Sequence, residues 1–463
     1  MMFRKVNKVH FVGIGGIGMS GIAELLMNLG FTVSGSDLND SEIIQNLKSR
    51  GATVFEGHEA SHVIDCEVLV YSSAVPKDNP ELIAAHEKSI PIIKRAEMLG
   101  ELIALKQTSI GVGGTHGKTS TSSMIGALLS HAGLDPTLVV GGLVKNIDTN
   151  SQLGSGDLIV VEADEYDKSF LQLKPTIAVI TNIEQEHMDC YDNLDDLHNS
   201  FAQFANSVPF YGAVIVCLDS PGVQDIIPKI KRPVITYGFS SQAEISAKKI
   251  RSNETETKYS LYQNNQKCGD VTLHVPGKHN VLNSLAAAAI GFEMGLDAKS
   301  IVTGIGSYGG VRRRFEIKGM ARDVIVVDDY AHHPTEVAAT LQAARDGWDR
   351  RIIAVFQPHL FSRTRDFYKE FAAAFMDSDI LIVTDIYPAR EKPIDGVTGN
   401  LVYEAAKSTG HKNVYYIPDL EDLQVILDDT IQENDMVITI GAGTIWRYAQ
   451  SYIDHLNSQE AAA

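Results

Sequence analysis

The sequence predicts an α/β protein of three domains: a Rossmann-like domain at each end and a phosphate-loop domain between them. Three observations predict it. A β-type run, a glycine-rich turn and a helical run follow one another at the start of the chain, in the middle and again near the end. Many of the apolar runs are continuous rather than alternating, as in strands buried on both faces of a parallel sheet. The length, 463 residues, suits about three domains of ordinary size. Breaks near Lys106 and across Gly309–Phe315 set the expected boundaries, giving 1–106, 107–315 and 316–463.

In the first region Lys8–Val12 reads as a strand. Gly13-Ile14-Gly15-Gly16-Ile17-Gly18 then matches G-x-G-x-x-G, and Met19–Leu29 reads as a helix stopped by Gly30. A second strand from Phe31 closes on Asp37, where an acidic side chain would hold a ribose hydroxyl. Taken literally this is an NAD site; the alternative is a doubly wound domain that holds another diphosphate, or nothing. Shorter strands near Val68–Tyr71 and Ile90–Ile93 and helices near Pro80–Glu87 and Ala96–Leu105 complete the unit. Ser72 and Ser73 follow a strand, at the edge where open α/β sheets bind ligands.

The middle region is organised around Gly111-Val-Gly-Gly-Thr-His-Gly-Lys-Thr-Ser120, set between a β-type run from Thr108 and a helical run over Ser122–Ala132. Gly114, Thr115, His116 and Gly117 would turn backbone amides toward an anion. Lys118 would add a point charge, and the Thr119 hydroxyl could ligate Mg²⁺, with Ser120 next to it. The strict G-x-x-x-x-G-K-[ST] pattern fails by one place, since it needs glycine where Val112 stands. Two continuous apolar strands follow. Asp157–Val161 ends in Glu162-Ala-Asp164-Glu165, and Thr176–Thr181 ends in Asn182-Ile-Glu-Gln-Glu-His187-Met-Asp189. Acidic groups and a histidine at two strand ends beside a phosphate loop suit a nucleotide-bound metal; a solvated acidic turn is the alternative for each. Residues 240–273 read as a mostly antiparallel excursion. His279, Asn280 and Asn283 precede an Ala-rich helix over Ser284–Gly291, as caps or as contacts to a base.

Arg312-Arg313-Arg314 before Phe315 is either a solvated basic linker or an anion clamp. The last region repeats the βα rhythm, each strand ending in polar residues. Val324–Val327 leads to Asp328-Asp329-Tyr-Ala-His332-His333-Pro334, and Arg351–Phe356 to Gln357-Pro-His359-Leu-Phe-Ser-Arg363-Thr-Arg365. Ile380–Val383 leads to Thr384–Lys392, and Met436–Ile440 to Gly441-Ala-Gly443-Thr444. Adjacent residues do not face one way on a helix, so His332 and His333 are not expected to be a metal pair.

Composition narrows the function. Net charge is −18, from 58 acidic against 40 basic residues, which disfavours nonspecific nucleic-acid binding. Hydrophobic content is 44% and charged content 21%, ordinary for a soluble globular chain. The four cysteines, Cys66, Cys190, Cys217 and Cys268, show no C-x-x-C and are expected to be buried reduced thiols. With no apolar leader and no run of membrane-spanning length, the expected location is cytoplasmic.

Together these motifs resemble the Mur ligases of bacterial cell-wall synthesis. The resemblance rests on Gly114–Thr119, Glu162–Glu165, Thr181–Asp189, Gly277–Asn283, Asp328–Glu336, Phe356–Arg365 and Asp385–Glu391, and covers essentially the whole chain. It implies a UDP-sugar domain, a P-loop-type central ATPase domain and a C-terminal domain that binds the amino acid and closes over ATP. It also implies ATP-driven amide formation through an acyl phosphate. The Phe356–Arg365 and Asp385–Glu391 stretches resemble the member adding L-alanine to UDP-N-acetylmuramate, rather than the one recycling a preformed tripeptide.

Residue by residue, the resemblance gives Gly13, Gly15, Gly16, Ile17, Gly18, Asp37, Ser72 and Ser73 to the UDP-sugar. It gives Gly114–Ser120, His279, Asn280, Asn283, Arg314, Asp329 and His332 to ATP. Thr119 and Glu162 would hold one Mg²⁺ and His187 a second, with Lys118, Glu162, His187 and Arg314 catalytic. His333, His359 and Arg363 would meet the alanine. Later-acting siblings carry a carbamylated lysine about 14 residues beyond the matching histidine; here that position is Phe201, and no lysine lies between Lys174 and Lys229. The implied partners are small molecules, with no nucleic acid or membrane, in a monomer or weak homodimer. An NAD(P)-dependent oxidoreductase leaves the phosphate loop and third region unexplained. A non-catalytic nucleotide-regulated binding protein would not need Lys118 for turnover.

Overall fold

A computed structural model of the chain describes residues 6–72, 74–145, 149–389 and 391–462. By internal contacts the chain forms two compact units. One is Met1–Lys249 with Tyr259–Val271 and Leu282–Gly309; the other is Ile250–Lys258 with Thr272–Val281 and Gly310–Ala463.

The first unit holds the predicted N-terminal sheet. Its five strands are ordered Thr53–Glu56, Thr32–Asp37, Lys8–Val12, Val68–Tyr71, Ile92–Lys94, all parallel. Lys8–Val12 has its sequence successors on opposite sides, so the strand order reverses at its carboxyl end and opens a crevice there. The helix after it, Ile17–Asn28, begins two residues earlier than the periodicity predicts. Pro80–Glu87 starts where expected, with the Asn79 side chain capping it and Pro80 at its first position.

The second sheet has ten strands. In order these are Gln266–Leu273, Glu256–Gln263, Ile245–Asn253, Val234–Gly238, Ala213–Cys217, Ile177–Ile180, Thr108–Gly113, Leu158–Glu162, Thr137–Val144 and Thr149–Gln152. Thr108–Gly113 pairs in parallel with Ile177–Ile180 on one side and Leu158–Glu162 on the other. The strand feeding the phosphate loop is therefore flanked by the two strands whose ends carry acids and a histidine. Phe170, Phe201 and Phe204, all fully buried, pack at ring distances of 5.0 and 5.2 Å beneath this sheet. Each contributes about 1.5–3 kcal/mol by burial. Phe201 thus fills core space where the siblings' lysine would stand. The hairpin from Thr137 to Gln152 packs on the N-terminal domain: Asn150 Nδ2 donates to the Ile17 carbonyl at 2.6 Å, and the Thr149 hydroxyl to Glu24 at 3.0 Å.

The second unit carries a six-stranded sheet ordered Glu316–Ala321, Val324–Asp329, Asp435–Ile440, Arg351–Phe356, Ile380–Thr384, Val414–Ile417. Only its first strand is antiparallel to its neighbour. Both end domains are thus Rossmann-like, as the sequence predicts.

Two further helix starts differ from expectation. The Ala-rich helix spans Lys278–Glu293, not Ser284–Gly291, so His279, Asn280 and Asn283 stand within its first turns rather than capping it. Lys118–His131 likewise begins at the lysine rather than at Ser122. Both errors come from reading a start where apolar residues begin, when a left-handed glycine, Gly277 or Gly117, sets it. The cysteines are free, but only Cys217 is buried; Cys66, Cys190 and Cys268 are half-buried in loops and edge segments.

Candidate active site

Gly114 has φ +135°, and a Cβ there would lie 2.0 Å from the Thr181 hydroxyl, so the turn admits only glycine. The turn is pinned to the neighbouring strand end. His116 N–H donates to Asn182 Oδ1 at 2.7 Å, and the Thr181 hydroxyl donates to the His116 carbonyl at 2.6 Å. The helix Lys118–His131 has no side-chain cap and no acidic residue in its first turn, leaving an N-terminus suited to phosphate. Lys118 Nζ donates to the carbonyls of Gly114 at 2.6 Å and Thr115 at 3.0 Å, and to Glu165 Oε2 at 2.8 Å. Burial opposes the ammonium charge, but the Glu165 and Asp164 carboxylates outweigh it and hold Lys118 above its ordinary value. Ser120 is buried in the same turn. The Thr121 hydroxyl donates to Asn283 Oδ1 at 3.1 Å, which joins the loop's helix to Asn283.

Glu162 ends the strand beside the loop. Burial pushes its carboxyl up, opposed by the Thr119 hydroxyl and the Gly141 amide. Its Oε1 is buried with no hydrogen-bond partner among the described residues. A buried, unsatisfied carboxylate oxygen beside a threonine hydroxyl is the donor chemistry of a hard cation. A second group stands nearby: one ligand atom each from Glu165, Glu186 and His187 lie within 4.8 Å of one another. His187 is in a loop, with φ +55°, its ring edge-on to Tyr166 at 5.2 Å. Burial and the adjacent Asp164 and Glu186 carboxylates push Glu165 up to about 7 against the pull of Lys118. Sequence reasoning quoted Glu165 and Asn182 without giving them work. Nothing in spacing marks them, because the chain after Glu165 kinks through two left-handed residues, Asp167 and Lys168.

In the N-terminal crevice Gly13 and Ile14 amides donate to the Ser36 carbonyl, and Gly15 N–H donates to Asp37 Oδ2 at 2.9 Å. Asp37 therefore braces the glycine turn, with Gly16 and Gly18 flanking a helix start at Ile17 that has no side-chain cap. Ser72 lies beside Gly13. Ser73, expected next to it, lies outside the described residues.

The second unit gathers the remaining predicted residues. Asp329 accepts from Phe315 N–H at 2.7 Å and Ala331 N–H at 2.8 Å, and burial pushes it up to about 6 against Arg314 and those amides. Arg314 pairs with Glu336 at 3.5 Å, and Glu336 also accepts from His332 N–H. Arg313 bonds Asp328 at 3.1 Å and the Gly441 carbonyl at 2.7 Å, so Arg313 and Arg314 are not a solvated linker, while Arg312 is exposed. His333 caps the helix Pro334–Gly347, and His332 Nδ1 sits 3.0 Å from the Tyr330 carbonyl. His359 lies 3.2 Å from Arg363 and stacks on Tyr387 at 5.8 Å. Asn280 Nδ2 donates to the Pro276 carbonyl at 2.8 Å. Burial, then Arg314, hold His279 down at about 4. Its stabilising contribution is full above its ordinary value of 6.5 and is lost as pH falls toward about 4. His279→Gln should therefore flatten the acid limb of stability, read as the urea midpoint across that window.

A phosphate loop between two acid-bearing strands, with a second glycine turn at a Rossmann-like crevice, is the layout of an enzyme that uses a nucleoside triphosphate and has a second site suited to a diphosphate. Family models agree: residues 8–107 match the Mur ligase family catalytic domain, 112–291 the Mur ligase middle domain, and 313–443 the Mur ligase glutamate ligase domain. The UDP-N-acetylmuramate–L-alanine ligase of Syntrophus aciditrophicus is 51% identical over 99% of this chain and 96% of that protein. The crystal structure of a UDP-N-acetylmuramate–alanine ligase from Thermotoga maritima superposes with TM-score 0.84 at 29% identity, covering 98% of this chain and 99% of the other. A murein peptide ligase from Psychrobacter arcticus shares the fold at TM-score 0.72 and 23% identity, over 97% and 98%. The chain belongs to the Mur ligase family.

Proposed function

We propose that this chain joins L-alanine to the lactyl carboxylate of UDP-N-acetylmuramate at the expense of ATP, in peptidoglycan precursor synthesis. Full-length similarity to relatives of that name supports the substrates. The observation that carries the chemistry is the phosphate loop's Lys118 held by Glu165, with Thr119 hydrogen-bonded to Glu162 at the neighbouring strand end. Among the described residues no helix is long and apolar enough to cross a membrane. The reading places the reaction in the cytoplasm, in a monomer or weak homodimer. Residues 1–106 hold the sugar nucleotide, 107–315 ATP, and 316–463 the amino acid.

A lactyl oxygen attacks the γ-phosphorus, the bond to the β–γ bridging oxygen breaks, and ADP leaves an acyl phosphate. The alanine amine then attacks the acyl carbon, phosphate departs, and the amide nitrogen releases a proton. Amides at the start of Lys118–His131 cradle the phosphates, and Lys118 leaves Glu165 to follow the charge toward the β–γ bridge. Asn283, His279 and Asn280 hold the base; neutral His279 is suited to hydrogen bonding. Arg314, braced by Asp329 and Glu336, meets a phosphate oxygen, with His332 beside it. Arg363 and His359, with His333, face the alanine carboxylate, for which an arginine fork is suited. Thr119 and Glu162 would hold one Mg²⁺, and His187 with Glu165 and Glu186 a second. When bound, the ions neutralise charge on the phosphate and carboxylate oxygens.

Phosphate release from ATP, with UDP-N-acetylmuramate and Mg²⁺ present, tests this. Release is expected to depend on L-alanine. Release with the tripeptide alone would transfer the chain to the recycling reaction, and no release with any acceptor would remove the reaction while leaving the nucleotide site.

A further inference from the structure

Arg95 begins the helix Arg95–Ile103, directly after the edge strand Ile92–Lys94. Its side chain is turned onto the first turn of Ile17–Asn28, the helix that leaves the glycine turn of the N-terminal crevice. A Cβ on Gly18 would lie 2.9 Å from Arg95 Nη1, 3.4 Å from Cδ and 3.5 Å from Cζ. The last glycine of G-x-G-x-x-G is therefore small because a guanidinium lies over it. In a dinucleotide fold that position instead serves close helix–strand packing. The other end of the guanidinium meets Asp164 at 3.3 Å, and Arg95 retains about a quarter of its side-chain exposure, 24%. Arg95, Glu162, Asp164 and Ser169 line one narrow crevice. Asp37, on the opposite side of the turn, adds a carboxylate against Gly15. A diphosphate entering there needs a cation to offset that charge, and Arg95 is already against the turn.

We propose that Arg95 binds the diphosphate of the sugar nucleotide, and that Asp164 holds the guanidinium in place until that anion displaces it. This rests on the reading of the N-terminal crevice as the sugar-nucleotide site. The exchange is chemically even: one Arg–carboxylate ion pair is replaced by an Arg–phosphate pair, which an arginine fork forms well. Arg95 also shares that narrow crevice with Glu162, so the same cation that reads the diphosphate joins the wall that carries the proposed metal ligand.

Calorimetric titration with UDP, UDP-N-acetylglucosamine and UDP-N-acetylmuramate tests it on the full chain, without turnover. UDP must first bind the unsubstituted protein; failure there removes the sugar-nucleotide reading itself and this inference with it. Arg95→Met should weaken all three ligands about ten- to hundredfold, the scale of a lost charged hydrogen bond. A nonhydrolysable ATP analogue should bind as before, which also reports that the variant is folded. Arg95→Lys should recover part of the loss. Asp164→Asn should leave UDP binding as tight or tighter, because it releases the guanidinium. Unchanged UDP affinity in Arg95→Met would make the residue only a tie to Asp164 and overturn the proposal. A loss confined to UDP-N-acetylmuramate would assign Arg95 to the lactyl carboxylate and overturn it as well.

Discussion

Lys118→Met should lower kcat by about a thousandfold, the upper range for removing one preorganised charge donor from a phosphoryl or acyl transition state. The loss should fall mainly on kcat. The amides at the start of Lys118–His131 and the turn fixed by Asn182 survive the change, so a nonhydrolysable ATP analogue should still bind within about tenfold of normal. A structural side effect accompanies it. Glu165 would lose its cation while remaining buried beside Asp164 and Glu186, and would take up a proton instead. Lys118→Arg should not rescue activity. The ammonium fits between two carbonyls at 2.6 and 3.0 Å and a carboxylate, a cage that a wider planar fork does not enter. Steady-state phosphate release with L-alanine, set against analogue binding, measures both quantities. A loss of only a few-fold in kcat would take Lys118 out of the transition state.

How the sequence exposes this site depends on which contacts are local. The loop is legible because a strand, a turn and a helix are consecutive, and Lys118 and Thr119 fall at a fixed offset from the turn. Glu162 is legible because a continuous apolar strand must end, and its last residue emerges at the ligand edge. Glu165 is not. Its meeting with Lys118 requires a kink through Asp167 and Lys168 that no periodicity signals, and Tyr191, 26 residues on, fixes its backbone through a 2.6 Å bond to its carbonyl. Arg95 escapes for a related reason. It stands just before the helix expected from Ala96, and its approach to Gly18 depends on the parallel pairing of Ile92–Lys94, the edge strand, with Val68–Tyr71. The arginine run could be read either way in sequence. Arg313 settles against the linker by reaching a carbonyl 128 residues away at Gly441. Long-range polar contacts of this kind are set by the fold, not by the chain neighbours that a sequence displays.

Glu162→Gln should separate activity from stability, with opposite signs. The carboxyl is buried, pushed above its ordinary value chiefly by that burial, and its Oε1 has no hydrogen-bond partner among the described residues. Such a group is costly to keep in a folded protein and persists where it is used. Replacing it with a neutral amide of the same shape removes the cost of burying charge, so the unliganded variant should melt at the same temperature or a few degrees higher. Turnover should fall by about a hundred- to a thousandfold, because a neutral oxygen cannot replace an anionic one opposite the Thr119 hydroxyl. The Mg²⁺ dependence should shift to higher concentration in parallel. Thermal melts with Mg²⁺ and a nonhydrolysable ATP analogue give the deciding comparison. Ligands that bind only the native state raise its melting point according to their affinity, so the unsubstituted protein should gain markedly and the variant much less. Equal gains in the two proteins, with turnover retained, would show that Glu162 holds no metal and that its buried oxygen is satisfied in some other way.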